Sequence, residues 1–343
     1  MLPPAEAGEA DMRRREFMIA AASFAALKPA AAQPVVTSRR LAIVNVSAPS
    51  HALMREDSPS YYRIFFGELR RLGQIEGQNL TVERYSKEEY RSDPVALAAQ
   101  VVRSNPDVIY IIDPSAAHFT RVTSKIPIVT ITNDPMALGY VQSLAHPGGN
   151  ITGVSVDAGP SILGKRIALL REMFPAMSKL AFIVATGVSQ RLAEAPVRAA
   201  AEAVGIAVVS VPIEVPSTAT TYRDAIAQAS RDGADAIMMI DSPNALVNRA
   251  AIAESLAEAR IPAIHAFAEA VDAGGLMAYS FDLKELIRRM AGDVDAILRG
   301  ANPADIPFYQ VSKFELSINL KAARALGLAV PATLLATADK VVE

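Results

Sequence analysis

The chain has no cysteine and no tryptophan among its 343 residues. The first absence excludes disulfides, thiolate nucleophiles, cysteine zinc sites and a lipidated cysteine anchor. An excess of one charge is also missing: 34 Lys and Arg stand against 36 Asp and Glu, a formal net charge of -2 that offers no field for nucleic acid. The histidines, His51, His118, His146 and His265, are far apart, with no two at helix-turn spacing, so each reads as a loop or core residue and no metal site is expected. No Gly-x-Gly-x-x-Gly follows a strand, so there is no visible dinucleotide cradle and no cofactor is expected.

Two partial motifs fail on chemistry. The run GPSILGKR at 159–166 has P-loop spacing up to Lys165, but Arg166 stands where a hydroxyl must hold magnesium, and Pro160 removes a backbone donor. It reads as a helix start whose Lys165 and Arg166 are solvated. The run GVSVD at 153–157 ends on Asp157 where a nucleophile elbow needs Gly.

Hydrophobic residues make up 51% of the chain, and its length exceeds what one core usually serves, so two domains are expected. An internal echo supports this. NPDVIYIIDPSA at 105–116 returns as GADAIMMIDSPN at 233–244, and KIPIV at 125–129 returns as RIPAI at 260–264. Asp107 thus corresponds to Asp235, Asp113 to Asp241 and Pro127 to Pro262. Two copies of one strand-helix-strand unit predict two similar α/β lobes facing each other across a cleft, with Asp113 and Asp241 at the carboxyl ends of parallel strands, where such sheets bind ligands.

The N-terminal segment reads as an export signal. Arg13, Arg14 and Arg15 precede an apolar run at 18–27, and Ala30, Ala31 and Ala32 supply a small-residue cleavage site before Gln33. The run is too short to span a bilayer. Arg14 and Arg15 approximate a twin-arginine signal, and either that route or the general one fits. The signal is taken as residues 1–32, with 1–11 an upstream extension before Met12.

Short buried apolar runs alternate with helical periodicity along the rest of the chain, the pattern of parallel sheets covered on both faces. Strands are expected at 41–47, 80–85, 108–112, 126–132, 151–156, 179–184, 207–211, 236–240, 262–266 and 314–320. One helix is expected over 245–259, and an amphipathic one over 283–298 that packs back on the first lobe. The turn-rich HPGGNITG at 146–153 and the Gly-led GGLMAY at 274–279 read as passages between lobes.

The phrases LGQIEGQN at 72–79, HPGGNITG at 146–153, GKR at 164–166, GGLMAY at 274–279, KFELSINLK at 313–321 and ALGL at 325–328, with Asp134-Pro135, occur in one order along nearly the whole chain beyond the signal. In this they resemble the bacterial ABC-transporter substrate-binding family that includes tryptophan- and tyrosine-binding members. The resemblance implies a type I periplasmic binding fold, two Rossmann-like lobes joined by three crossings, and delivery of a small solute to an inner-membrane ABC permease. The chain departs from its relatives at Asp113-Pro114-Ser115, where they carry Gly-Thr-Pro, so ligand identity is the feature least carried over. Lobes of 39–153 plus 280–311 and of 154–279 plus 312–343 are expected, in a periplasmic monomer.

Candidate ligand residues sit at strand ends. On the first lobe these are Ser47, Ser115, Ala116, Asn133 and Asp134, with the Ser115 hydroxyl and the helix start offering a carboxylate site; for Ser115 a plain helix cap is the alternative. On the second lobe Asp241 offers a partner for an ammonium group, Asp241 or Ser242 alternatively caps the next helix, and Phe267 and Tyr279 offer aromatic walls. The expected function is non-catalytic capture of an amino acid, aromatic or branched, or a related carboxylate. A secreted α/β enzyme using Asp134 and Asp241 as paired carboxylates is the alternative from another class, and a ligand-sensing module is a third.

Overall fold

A computed structural model describes residues 38–53, 60–90, 93–112, 115–156 and 159–343. The expected signal, 1–32, and Asp113 lie outside the described residues.

The strands are β1 (Arg39–Val44), β2 (Leu80–Tyr85), β3 (Val108–Ile111), β4 (Ile128–Thr132), β5 (Ile151–Ser155), β6 (Lys179–Ala185) and β7 (Ala207–Ile213). They continue with β8 (Ala236–Met239), β9 (Ala263–His265), β10 (Met277–Ser280), β11 (Tyr309–Gln310), β12 (Glu315–Asn319) and β13 (Lys340–Val342). They form two sheets, ordered β11-β5-β4-β3-β1-β2 and β13-β12-β10-β9-β8-β6-β7. Each is covered on both faces, as alternation requires: Leu41 and Ile43 enter one core and Ala42 and Val44 another, while Leu180 and Phe182 part from Ala181 and Ile183 in the same way.

The sequence echo is an echo of hydrogen bonds. Asp107 accepts from the Arg40 backbone N–H at 2.7 Å, and Asp235 accepts from that of Lys179 at 2.8 Å, each carboxylate closing the start of the neighbouring strand. The Pro127 carbonyl accepts from Ile109 N–H and that of Pro262 from Ile237 N–H, both at 2.9 Å. At the other end Ile112 N–H reaches the Val44 carbonyl and Ile240 N–H reaches that of Ile183, both at 3.2 Å. Asp113 and Asp241 therefore follow equivalent strand ends.

The chain passes between the sheets after β5, β10 and β11. The helix Leu283–Leu298 follows the second passage, opened by Asp282, which accepts from the Lys284 and Glu285 N–H groups at 2.8 and 3.2 Å. Its buried stripe, Leu283, Leu286, Ile287, Met290 and Val294, packs on the first lobe against helix Ser60–Arg71 and β3 to β5. The third passage leaves only four residues between β11 and β12. A parallel return needs a crossover of about a dozen residues or more, so β12 enters the second sheet antiparallel to β10, the one departure from the expected parallel pattern among the described strands.

The helix expected over 245–259 is interrupted. It forms as Pro243–Val247 and Arg249–Ala259, with Asn248 turned to give its amide to the Asn244 and Ser217 carbonyls at 2.8 and 3.4 Å. At the first passage Gly153 has φ +140°, and β5 lies so close to β4 that a Cβ there would sit 1.9 Å from the Thr130 carbonyl oxygen.

Candidate functional site between the lobes

A cavity of about 150 Å³ lies where the carboxyl ends of both sheets meet. From the first lobe Asn45 follows β1, Ile112 follows β3, Thr132 and Asn133 end β4, Val156 follows β5, and Ala117 belongs to the helix after β3. Tyr61 and Ile287 descend from the two helices packed beneath. From the second lobe come Ala185 at the end of β6, Asp241, Ser242 and Asn244 after β8, Phe267 after β9 and Phe281 after β10. A cavity lined by nearly every strand end is where open α/β sheets place small ligands. A larger open groove of about 490 Å³ beside β7 and helix Ala219–Arg231 belongs to one lobe alone.

The lining has a polar end and an apolar body. Phe267 and Phe281 meet edge to face at 5.8 Å, and with Ile112, Ile131, Leu246 and Ile287 they make most of the wall apolar. The polar end is a hydrogen-bonded chain spanning the lobes. Asn244 Nδ2 donates to Ser47 Oγ at 3.0 Å and its Oδ1 accepts from the Ser217 N–H at 3.1 Å. Asn45 Oδ1 accepts from the Ser47 N–H at 3.0 Å, and its Nδ2 donates to the Tyr62 hydroxyl at 3.0 Å. Burial pushes the Tyr61 phenol pKa up, with Arg249 and Glu269 of the second lobe acting in opposite directions.

Asp241 is held from behind. Arg166, only 1% exposed, places Nη1 2.5 Å from Asp241 Oδ1, Nη2 3.4 Å from Oδ2, and Nε 3.0 Å from the Tyr279 carbonyl oxygen. This corrects the expectation that Lys165 and Arg166 are both solvated: Lys165 is exposed, but Arg166 on the next helical position points inward, where a planar fork meets a carboxylate and a carbonyl at once.

The other nominated residues divide. Asn133, Asp241, Ser242 and Phe267 line the cavity. Ser242 also caps helix Pro243–Val247, accepting from the Asn244 N–H at 3.2 Å, so of the two capping candidates it is Ser242, not Asp241, that caps. Ser47 is buried behind the lining and acts through Asn244. Ser115 is buried and makes no side-chain capping bond to helix Ala116–Val122, and Ala116 is packed in the core with Val44 and Phe119, so the exposed face of that helix start is Ala117 instead. Asp134 is a turn cap, accepting from the Met136 and Ala137 N–H groups at 2.9 and 3.0 Å, and does not line the cavity. Tyr279 does not line the cavity: its ring stacks on Phe314 at 5.7 Å in a separate groove, and Phe281, just beyond β10, takes the cavity wall.

Asp134 is engaged by backbone and Asp241 by Arg166, so these two carboxylates are not poised together as acid and base. His265 is buried beside Gly275, and burial pushes its pKa down to about 4, the state of a neutral core histidine. Among the described residues no group of three or more His, Asp or Glu is placed to hold a metal, and no helix is long and apolar enough to cross a membrane.

Two sheets whose strand ends enclose a cavity, joined by three passages, define a type I periplasmic binding fold. The sequence model of the ABC transporter substrate binding protein family matches residues 58–342, and the chain belongs to that family. It is 26% identical over 268 residues, 77% of this chain and 75% of the relative, to a tyrosine-binding protein of Clostridioides difficile. Among solved structures it resembles a conserved domain protein from Vibrio cholerae, with a TM-score of 0.76, 23% identity and coverage of 89% and 99% of the two chains. It also resembles the ABC domain from Streptococcus pneumoniae in complex with L-Trp, with a TM-score of 0.74, 21% identity and coverage of 89% and 100%.

Proposed function

We propose that this protein captures an amino acid with an aromatic or branched side chain, or a related carboxylate, between its lobes and delivers it to an inner-membrane ABC permease. The observation that carries this reading is the cavity itself, mostly apolar in its wall, with Asn45, Asp241 and Asn244 among its polar lining residues. Asp241 Oδ2, the carboxylate oxygen less engaged by Arg166, accepts from the ligand's ammonium group, and Asn133, Ser242 and Phe267 complete the contacts. The lobes comprise 39–153 plus 280–311 and 154–279 plus 312–343. Residues 1–32 direct export to the periplasm, where the protein works as a monomer without catalysis.

Thermal unfolding and small-angle scattering against L-tyrosine, L-tryptophan, L-phenylalanine and L-leucine test this reading. At a hundredfold excess over Kd, a ligand that binds only the native state adds about 2.7 kcal/mol of stability. The scattering radius should fall as the ligand closes the cleft. No change in melting or scattering with any of these, or with their des-amino analogues, contradicts the function.

A further inference from the structure

Two buried side chains from opposite lobes meet at the cavity wall. Ser47, beyond β1, is 5% exposed, Asn244, in the helix after β8, is 2% exposed, and Asn244 Nδ2 donates to Ser47 Oγ at 3.0 Å. The strands they follow belong to different sheets, so this bond exists only while the lobes are together and breaks when they part.

Each partner is fixed from within its own lobe. Asn244 Oδ1 accepts from the Ser217 N–H at 3.1 Å, and because a backbone N–H can only donate, the NH2 end of the amide is left facing the first lobe. The Asn244 N–H donates to Ser242 Oγ at 3.2 Å, and its carbonyl accepts from the Asn248 amide at 2.8 Å. Across the cleft the Ser47 N–H donates to Asn45 Oδ1 at 3.0 Å, and Asn45 Nδ2 donates to the hydroxyl of Tyr62 on helix Ser60–Arg71 at 3.0 Å. Both groups are held in place before they meet, so little side-chain freedom is lost when the bond forms. Asn244 lines the cavity and Ser47 does not, so the two ends of the bond stand in different relations to a ligand.

We propose that Ser47 is a positioning residue for capture: its hydroxyl latches the first lobe to Asn244 and holds the cleft shut around a ligand that it does not touch. It thereby sets affinity and residence time without choosing among ligands. This role rests on the proposed capture between the lobes. Ser47→Ala leaves the Asn244 donor buried and unpaired when the cleft is closed, whereas in an open cleft water takes it, so the closed arrangement alone is penalised. One buried hydrogen bond lost in this way corresponds to about tenfold in the ratio of closed to open protein.

Calorimetry and binding kinetics of Ser47→Ala test the latch against L-tyrosine, L-tryptophan, L-phenylalanine and L-leucine. Affinity should fall by the same factor, about tenfold, for every amino acid of this set that wild-type protein binds. The change should lie in the dissociation rate, with association altered by less than about twofold, because the bond forms only after the ligand has entered. In an Asn244→Ala background, where the bond is already gone, Ser47→Ala should change affinity by less than about twofold, an outcome that a general loosening of the fold does not produce. Unchanged affinity in Ser47→Ala, a loss that differs between ligands, or a full loss in the Asn244→Ala background each overturns the latch while leaving the proposed function intact. Binding of no amino acid overturns the proposed function, and small-angle scattering of the ligand-free proteins then decides the latch alone: a larger radius in Ser47→Ala than in wild type sustains it, and identical radii overturn it.

Discussion

Arg166→Met should destabilise the protein by about 3–5 kcal/mol, because it strands the Asp241 carboxylate on the cavity wall. Arg166 is the largest fully buried side chain among the described residues, and its guanidinium donates to both Asp241 carboxylate oxygens and to the Tyr279 carbonyl. Removing it strands a carboxylate that keeps only 16% side-chain exposure, which places the effect toward the lower end of that range. The melting temperature should fall by on the order of 10 °C. Because the penalty is the stranded charge rather than lost attraction, Arg166→Met combined with Asp241→Leu should recover most of it. Denaturant titration of the two variants decides the matter: a loss below about 1 kcal/mol in the single variant, or no recovery in the double, contradicts a charge-pair origin.

Gly153→Ala should cost more than about 4 kcal/mol, enough to prevent folded protein from accumulating. The overlap is with backbone: the added Cβ would lie 1.9 Å from the Thr130 oxygen and 2.7 Å from its nitrogen, at φ +140°, so no rotamer change relieves it and β4 and β5 must separate. Gly67 is the control, an exposed helical glycine with nothing within 4 Å of a Cβ. Gly67→Ala should stabilise by about 0.5–1 kcal/mol, since the helix loses less backbone entropy. Normal yield and unfolding midpoint for Gly153→Ala would show that the two strands do not need this close approach.

The sheets were readable in the sequence because parallel strands buried on both faces appear as short apolar runs, and the duplicated Asp and Pro positions marked equivalent strand starts in both lobes. The helix Leu283–Leu298 was readable to the residue because a capping Asp and a helical apolar stripe agree there. The antiparallel β12 was not, since strand direction depends on the length of the connection in space and apolar pattern is blind to it. In the site, strand-end position leads to Asn133, Asp241, Ser242 and Phe267, which line the cavity, but it does not tell whether Tyr279 within β10 or Phe281 just beyond it faces the cleft, and it is Phe281 that lines the wall. Asn45 had a local signal, a polar side chain directly beyond the apolar strand β1, whereas Asn244 lies in the helix after β8. Arg166 had none: its partners lie 75 and 113 residues away, and a charged residue in a helix start gives no local sign of pointing inward.

The most direct test of the interlobe cavity as the ligand site fills it. Ala117 lines the cavity from the first lobe and is not part of a buried core cluster, so Ala117→Trp places a large ring in the space without unpacking the sheet. Titration calorimetry with the amino acid that wild-type protein binds should give one ligand per chain for wild type and no measurable heat of binding for Ala117→Trp, with the variant's ligand-free melting temperature preserved. Unaltered affinity and stoichiometry in a folded Ala117→Trp protein would place the ligand elsewhere and contradict the account.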